Sequence, residues 1–179
     1  MQIINSTRFA RLILNKGIGI FIILIWLLVC INPAGAEALK WRQTMHVIKA
    51  ESIEVGDVPA HIVGLAHVGG LASFENGEVA PISLKSTFDY TNGSGQHQGY
   101  VLYTFEDEAT FVIKYQGTTT AARGGKISTF KGDISFIQGS GRFAGIKGSG
   151  TYTGKRFTPL STGAEFYYDF AATYTVPSR

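Results

Sequence analysis

From residue 37 onward, apolar and polar positions alternate along the chain with a period of two, the spacing of strands covered on one face. The last stretch shows it most plainly. Ala164, Phe166, Tyr168, Phe170, Ala172 and Tyr174 share one face, and Glu165, Tyr167, Asp169, Ala171, Thr173 and Thr175 share the other. Residues 110–117 repeat the pattern, setting Phe111, Ile113 and Tyr115 against Thr110, Lys114 and Gln116. The same reading predicts strands over 43–51, 58–68, 82–90, 98–105, 109–118, 126–137, 149–157 and 164–176. Thr91-Asn92-Gly93-Ser94-Gly95 is the strongest turn signal between them. Glu106-Asp107-Glu108 gives a second connection with a solvated acidic tip, and Arg123-Gly124-Gly125-Lys126 a third. Pro59 falls near the start of the second strand, where a missing N–H is tolerated. No segment after residue 37 carries a capped helical stripe. About eight strands with short turns in one domain predict an all-β sandwich or closed barrel, and closure removes the edges that aggregate.

The first 36 residues follow a different pattern. Arg8, Arg11 and Lys16 precede the apolar run Gly17 to Ile31, Asn32-Pro33 breaks that run, and Ala34-Gly35-Ala36 matches an A-x-A processing site. The run is about 15 residues, the upper length of a signal-peptide core and short for a membrane span. The expectation is a signal peptide over 1–36, cleaved after Ala36, with an uncleaved anchor as the alternative. Lipid attachment at Cys30 is disfavoured because Val29 stands where such sites need a small residue. The domain is then 37–179, exported to a periplasm or secreted, with membrane contact only through the signal peptide.

Removing that segment changes the charge. Three of the 16 basic residues lie in it and none of the 13 acids, so 13 of each remain. The basic character belongs to the export signal, and nothing in the domain argues for a nucleic-acid partner. Cys30 is the only cysteine, so the domain has neither disulfide nor thiol chemistry.

The stretch Gly139-Ser140-Gly141-Arg142-Phe143-Ala144-Gly145-Ile146-Lys147-Gly148-Ser149-Gly150 follows Phe130-Lys131-Gly132-Asp133-Ile134-Ser135-Phe136-Ile137-Gln138. Its Gly-x-Gly-x-Phe-x-Gly-x-x-Gly spacing, carried by Gly139, Gly141, Phe143, Gly145 and Gly148, resembles the allene oxide cyclase and dirigent superfamily, in particular its exported bacterial members. The spacing suits a turn with positive φ at several positions that folds Phe143 over a barrel end. The resemblance implies an eight-stranded antiparallel β-barrel with an apolar cavity, often a homo-oligomer such as a dimer or trimer. Allene oxide cyclases close an unsaturated epoxide fatty acid, and dirigent proteins steer phenoxy-radical coupling. Both work without a cofactor by holding a reactive molecule in one conformation. The motif is structural and carries no catalytic residue onto this chain.

Other motifs fall away. Gly139 to Ala144 fits G-x-G-x-x-A, but no helix follows as a dinucleotide fingerprint requires. Gly124-Gly125-Lys126 is followed by Ile127, so there is no phosphate loop, and no G-x-S-x-G elbow occurs. His61, His67 and His97 read as half-exposed strand or loop residues, and no metal site is expected. His46 shares a face with Thr44, Ile48 and Ala50 and becomes a polar group in the cavity if that face turns inward. Glu165 and Asp169 belong to the less apolar face of the last strand and are expected outside; inside, burial would make them general acids. Tyr168 and Tyr174 then point inward as ligand contacts, with Tyr100 and Tyr115 as further candidates. Arg142, Lys147, Lys155 and Arg156 flank one turn region and either steer a carboxylate-bearing ligand to a barrel mouth or are scattered solvated charges.

The first expectation is therefore an exported barrel that binds a small apolar molecule, lipid-like or aromatic. The alternatives are a cofactor-free cyclase or isomerase, which needs a buried polar group facing a pocket, and a structural module of the cell envelope.

Overall fold

A computed structural model describes residues 35–178 apart from Gly125, Ser161 and Thr162. The signal-peptide expectation over 1–36 therefore lies almost entirely outside the described residues. The described chain forms eight antiparallel strands: β1 (Glu37–Glu54), β2 (His61–Phe74), β3 (Val79–Thr91), β4 (Ser94–Thr104), β5 (Thr110–Ala122), β6 (Ile127–Gly139), β7 (Lys147–Arg156) and β8 (Glu165–Thr175). Each pairs with its neighbours in sequence, and β1 pairs with β8, from Glu37 opposite Tyr174 to His46 opposite Glu165, which closes the barrel. All eight predicted strands are present, most of them longer than the alternation indicated. Pro59 is the exception, lying in the turn before β2 rather than within it.

The β3–β4 hairpin turns on Asn92 and Gly93, at φ 52° and 77°. Positive φ at both central residues is the type I′ geometry that matches strand twist, which is why Asn-Gly marks it in sequence. Two register shifts bend the wall, one in β1 between Val47 and Lys49 and one in β6 opposite Val112 and Ile113. The residues left over, Ile48 and Ile137, turn outward and are 55% and 49% exposed. Beyond Lys49, β1 pairs with β2 alone, and residues 49–54 are exposed throughout.

Inside, one half of the barrel is packed solid. Trp41 stacks on Phe170 with ring centres 4.6 Å apart, and Phe74, Tyr103, Phe105, Phe111 and Phe136 fill the space around them. Phe143 closes this end, its ring 5.0 Å from Phe105 and 5.2 Å from Phe111. It is delivered by a single 3-10 turn, Gly141–Phe143, with Gly141 at φ 57° and Gly145 at φ 77°. Those two glycines of the motif take the conformation that side chains disfavour. Gly139 and Gly148 are strand residues, the last of β6 and the second of β7. One polar run threads this half. Trp41 Nε1 donates to Tyr103 Oη at 3.1 Å, Tyr103 donates to Gln43 Oε1 at 2.7 Å, and Gln43 Nε2 points to Met45 Sδ at 2.9 Å. A buried glutamine is tolerated because its amide is satisfied.

Candidate functional site

The opposite half of the barrel is built differently. There β7 supplies the sequence Gly150-Thr151-Tyr152-Thr153-Gly154-Lys155-Arg156, in which the inward positions are Gly150, Tyr152, Gly154 and Arg156. Its neighbours also place glycine inward. His97, Gly117, Gly132 and Tyr152 are successive cross-strand partners on β4, β5, β6 and β7. A methyl group on Gly117 would lie 2.5 Å from Tyr152 Oη, and one on Gly132 would lie 2.8 Å from Tyr152 Cε1. The two glycines thus clear the space in which His97 and Tyr152 meet.

His97 Nε2 lies 2.5 Å from Tyr152 Oη, and Nδ1 lies 2.9 Å from Thr119 Oγ1. Thr119 in turn donates to Tyr90 Oη at 2.8 Å. With its own proton committed to Tyr90, Thr119 accepts from Nδ1–H, so Nε2 accepts from the Tyr152 hydroxyl. The run is then directional from Tyr152 through His97 and Thr119 to Tyr90, whose hydroxyl proton is left over. Burial holds the His97 pKa down at about 4, so the ring is neutral at pH 7. Burial also raises the pKa of Tyr90, Tyr115, Tyr152 and Tyr168, which keeps all four phenols protonated.

Arg156 completes this end. It is 7% exposed, its Nη2 donates to Ser128 Oγ at 3.0 Å, and its Cζ lies 5.9 Å from the centre of the Phe130 ring. Its Nε is buried without a hydrogen-bond partner, and among the described residues no carboxylate pairs with it. Burial lowers its pKa, but a guanidinium stays charged at any physiological pH. Arg156, Tyr90, His97, Tyr115 and Tyr168 line a cavity of about 40 Å³ together with apolar side chains that include Val47, Leu160 and Phe166. That volume holds one or two waters or a small headgroup.

Two of the expected ligand contacts, Tyr115 and Tyr168, come together here, 2% and 4% exposed. Tyr174 faces the filled end instead, where it donates to Glu37 at 2.7 Å. Tyr100 and His46 point out of the barrel, which corrects the expectation that they reach a cavity. In β4 the inward set is His97, Gly99, Val101 and Tyr103, and Tyr100 lines a shallow groove on the outer wall with Leu65, His67 and Lys85. In β1 the inward set is Trp41, Gln43 and Met45, so His46 is exposed. His97 is also corrected, from half-exposed to 4% exposed. Glu165 and Asp169 lie outside, Asp169 paired with Arg42 at 2.6 and 2.7 Å. The four cations near the turn separate. Arg142 pairs with Glu78 and Asp107 at the filled end, Lys147 and Lys155 point outward, and Arg156 alone enters the barrel. Sequence reasoning missed His97, Tyr152, Thr119 and Tyr90. The alternating glycines of β7 were the available signal, since a strand with glycine at half of these inward positions leaves room for large side chains from its neighbours. Among the described residues no three His, Cys, Asp or Glu side chains gather as metal ligands.

No family model matches the chain, and no curated protein matches it in sequence. Solved structures do. The chain is similar to the conserved protein of unknown function RPA1785 from Rhodopseudomonas palustris, at a TM-score of 0.53 and 11% identity over 77% of this chain and 98% of that one. Two weaker likenesses are to the pterocarpan synthase dirigent proteins PsPTS1, at a TM-score of 0.41 and 12% identity over 80% of this chain and 97% of that one, and GePTS1, at 0.41 and 11% over 80% and 88%. The shared fold is a closed, eight-stranded antiparallel β-barrel. At these identities the likeness is one of fold, and the two ends of this barrel have to be read from its own residues.

Proposed function

We propose that the protein is an exported barrel that binds a small, largely apolar molecule at its polar end. The single observation that carries this reading is the asymmetry of the interior. One half is filled by stacked rings, while the other directs a phenol, a neutral imidazole chain and a guanidinium at a cavity with largely apolar walls. Pockets of mixed apolar walls and a few convergent polar groups are ligand sites by default, and a purely structural barrel has no need of an unpaired buried cation. Export follows from the N-terminal sequence pattern. N-terminal sequencing of the protein from a cell-envelope or medium fraction is expected to begin at Glu37; a mature protein beginning at Met1 in the cytosol would refute export. Ligand binding is tested by native mass spectrometry with 4-phenylbutan-1-ol, a neutral probe with an apolar body. A saturable adduct that Tyr168→Trp weakens supports the reading, and an adduct indifferent to that change places binding outside the barrel.

The hydrogen-bonded run from Tyr152 to Tyr90 favours a second reading, a cofactor-free isomerase or cyclase. A phenol fed by such a chain is able to give a proton to a ligand atom and recover it. A ligand recovered from the protein after incubation in D2O is then expected to carry deuterium on carbon, with less in His97→Gln. Absence of label in the wild-type protein argues for binding alone.

A further inference from the structure

We propose that Arg156 and Tyr90 form an anion site that takes the carboxylate of an amphipathic small molecule, whose apolar body leaves the barrel past Val47, Leu160 and Phe166. This rests on the ligand-binding reading above and adds the chemistry of the ligand's head. Arg156 is 93% removed from solvent by the barrel wall, yet among the described residues the side chain bonded to it is Ser128, a neutral hydroxyl, and its Nε has no hydrogen-bond partner. Buried charges are ordinarily paired, because an isolated ion loses its hydration without compensation. All 13 acids of the sequence lie in the described residues, and none reaches this guanidinium. No side-chain carboxylate among the described residues supplies the counter-charge, which leaves that role open to a ligand.

The partner groups fit a carboxylate. A guanidinium edge and a phenol O–H both line the same cavity, and the Thr119-to-Tyr90 bond leaves the Tyr90 proton available to an acceptor. Such charge-assisted bonds are about twice as strong as neutral ones. Size fits as well. A cavity of about 40 Å³ admits a headgroup and not a whole ligand, and most of its lining is apolar. The wall around the site offers Phe130, Phe166 and Tyr168 and no acid that would repel an anion.

The test is a matched pair on the full chain, 4-phenylbutyrate against 4-phenylbutan-1-ol, read by calorimetry and by the ¹⁵N–¹H spectrum of the arginine side chains. The carboxylate is expected to bind more tightly and to move the Arg156 Nε–H resonance. Arg156→Gln is expected to weaken the carboxylate about 10- to 100-fold and to leave the alcohol within about twofold, the range set by hydrogen bonds to charged groups. If Arg156→Gln does not fold, Tyr90→Phe, which keeps the ring, is expected to weaken the carboxylate selectively. Equal affinity for acid and alcohol with a static Arg156 resonance would overturn the anion site and leave the ligand-binding reading standing. Binding of neither probe would overturn both. Shifts confined to Arg42, Arg123 or Arg142 would mean surface pairing and would also overturn the site.

Discussion

Arg156 carries an electrostatic cost that its neighbours do not offset. Replacing such a group with an apolar side chain of similar length is often neutral or stabilising, by about 1–4 kcal/mol. Arg156→Met is therefore expected to melt at or above the wild-type temperature without ligand, while losing the response to a carboxylate; a strongly lowered melting temperature would mean the charge is paired in the folded protein. His97 makes a second prediction at this scale. Its folded pKa lies near 4, below the ordinary 6.5, so the unfolded chain binds the extra proton between those values. The stability it contributes is present above pH 6.5 and is lost as pH falls toward 4, about 3 kcal/mol in all. His61 has the opposite sign, since hydrogen bonds to Asp89 and Asp57 raise its pKa and its contribution is lost as pH rises through that value. Titrating both rings by NMR, with urea midpoints at pH 7 and pH 4.5, checks the pair. Wild type is expected to lose more stability on acidification than His97→Gln, and equal losses would contradict a neutral buried ring.

At the scale of the element, β7 is the strand that shapes the site. Its glycines and those facing it let Tyr152, Tyr168 and His97 lie against the wall. Gly132→Ala drives a methyl into Tyr152 and into the backbone of β5, and is expected to cost about 1–3 kcal/mol, read from denaturant midpoints. An unchanged midpoint would mean the wall gives way freely. The same strand shows what alternation can and cannot convey. β8 and the first half of β5 were legible because most inward positions, Phe111, Ile113, Tyr115, Phe166, Tyr168 and Phe170, are large and apolar and most of the outward ones are polar. β1 was not, because the buried Gln43 sits between Trp41 and Met45 and looks like a solvent residue until Tyr103, 60 positions away, supplies its partner. β4 misled in the other direction, with Tyr100 and Leu102 exposed at 49% and 40% while His97 is enclosed. A period of two identifies two faces without saying which is inside, and the polar groups that decide it here are satisfied by distant strands.

The whole barrel is divided lengthwise into a structural end and a chemical end. The glycine motif that carried the family resemblance belongs to the structural end, where it sets Phe143 as a plug, and so it spoke for the fold and not for the site. Phe143→Ala is expected to destabilise by about 3–5 kcal/mol, the range for a large buried aromatic, without changing the affinity of a ligand held at the other end. A parallel loss of affinity would show that the two ends do not act independently. The most direct measurement is a crystal structure of the protein grown with 4-phenylbutyrate. The account predicts density with the carboxylate between Arg156 Nε and Tyr90 Oη and the phenyl group emerging beside Phe166 and Leu160. Density only in the outer-wall groove lined by Thr87, Gln98, Thr118 and Thr153, or an unchanged Arg156 with no ligand beside it at saturating probe, would contradict it.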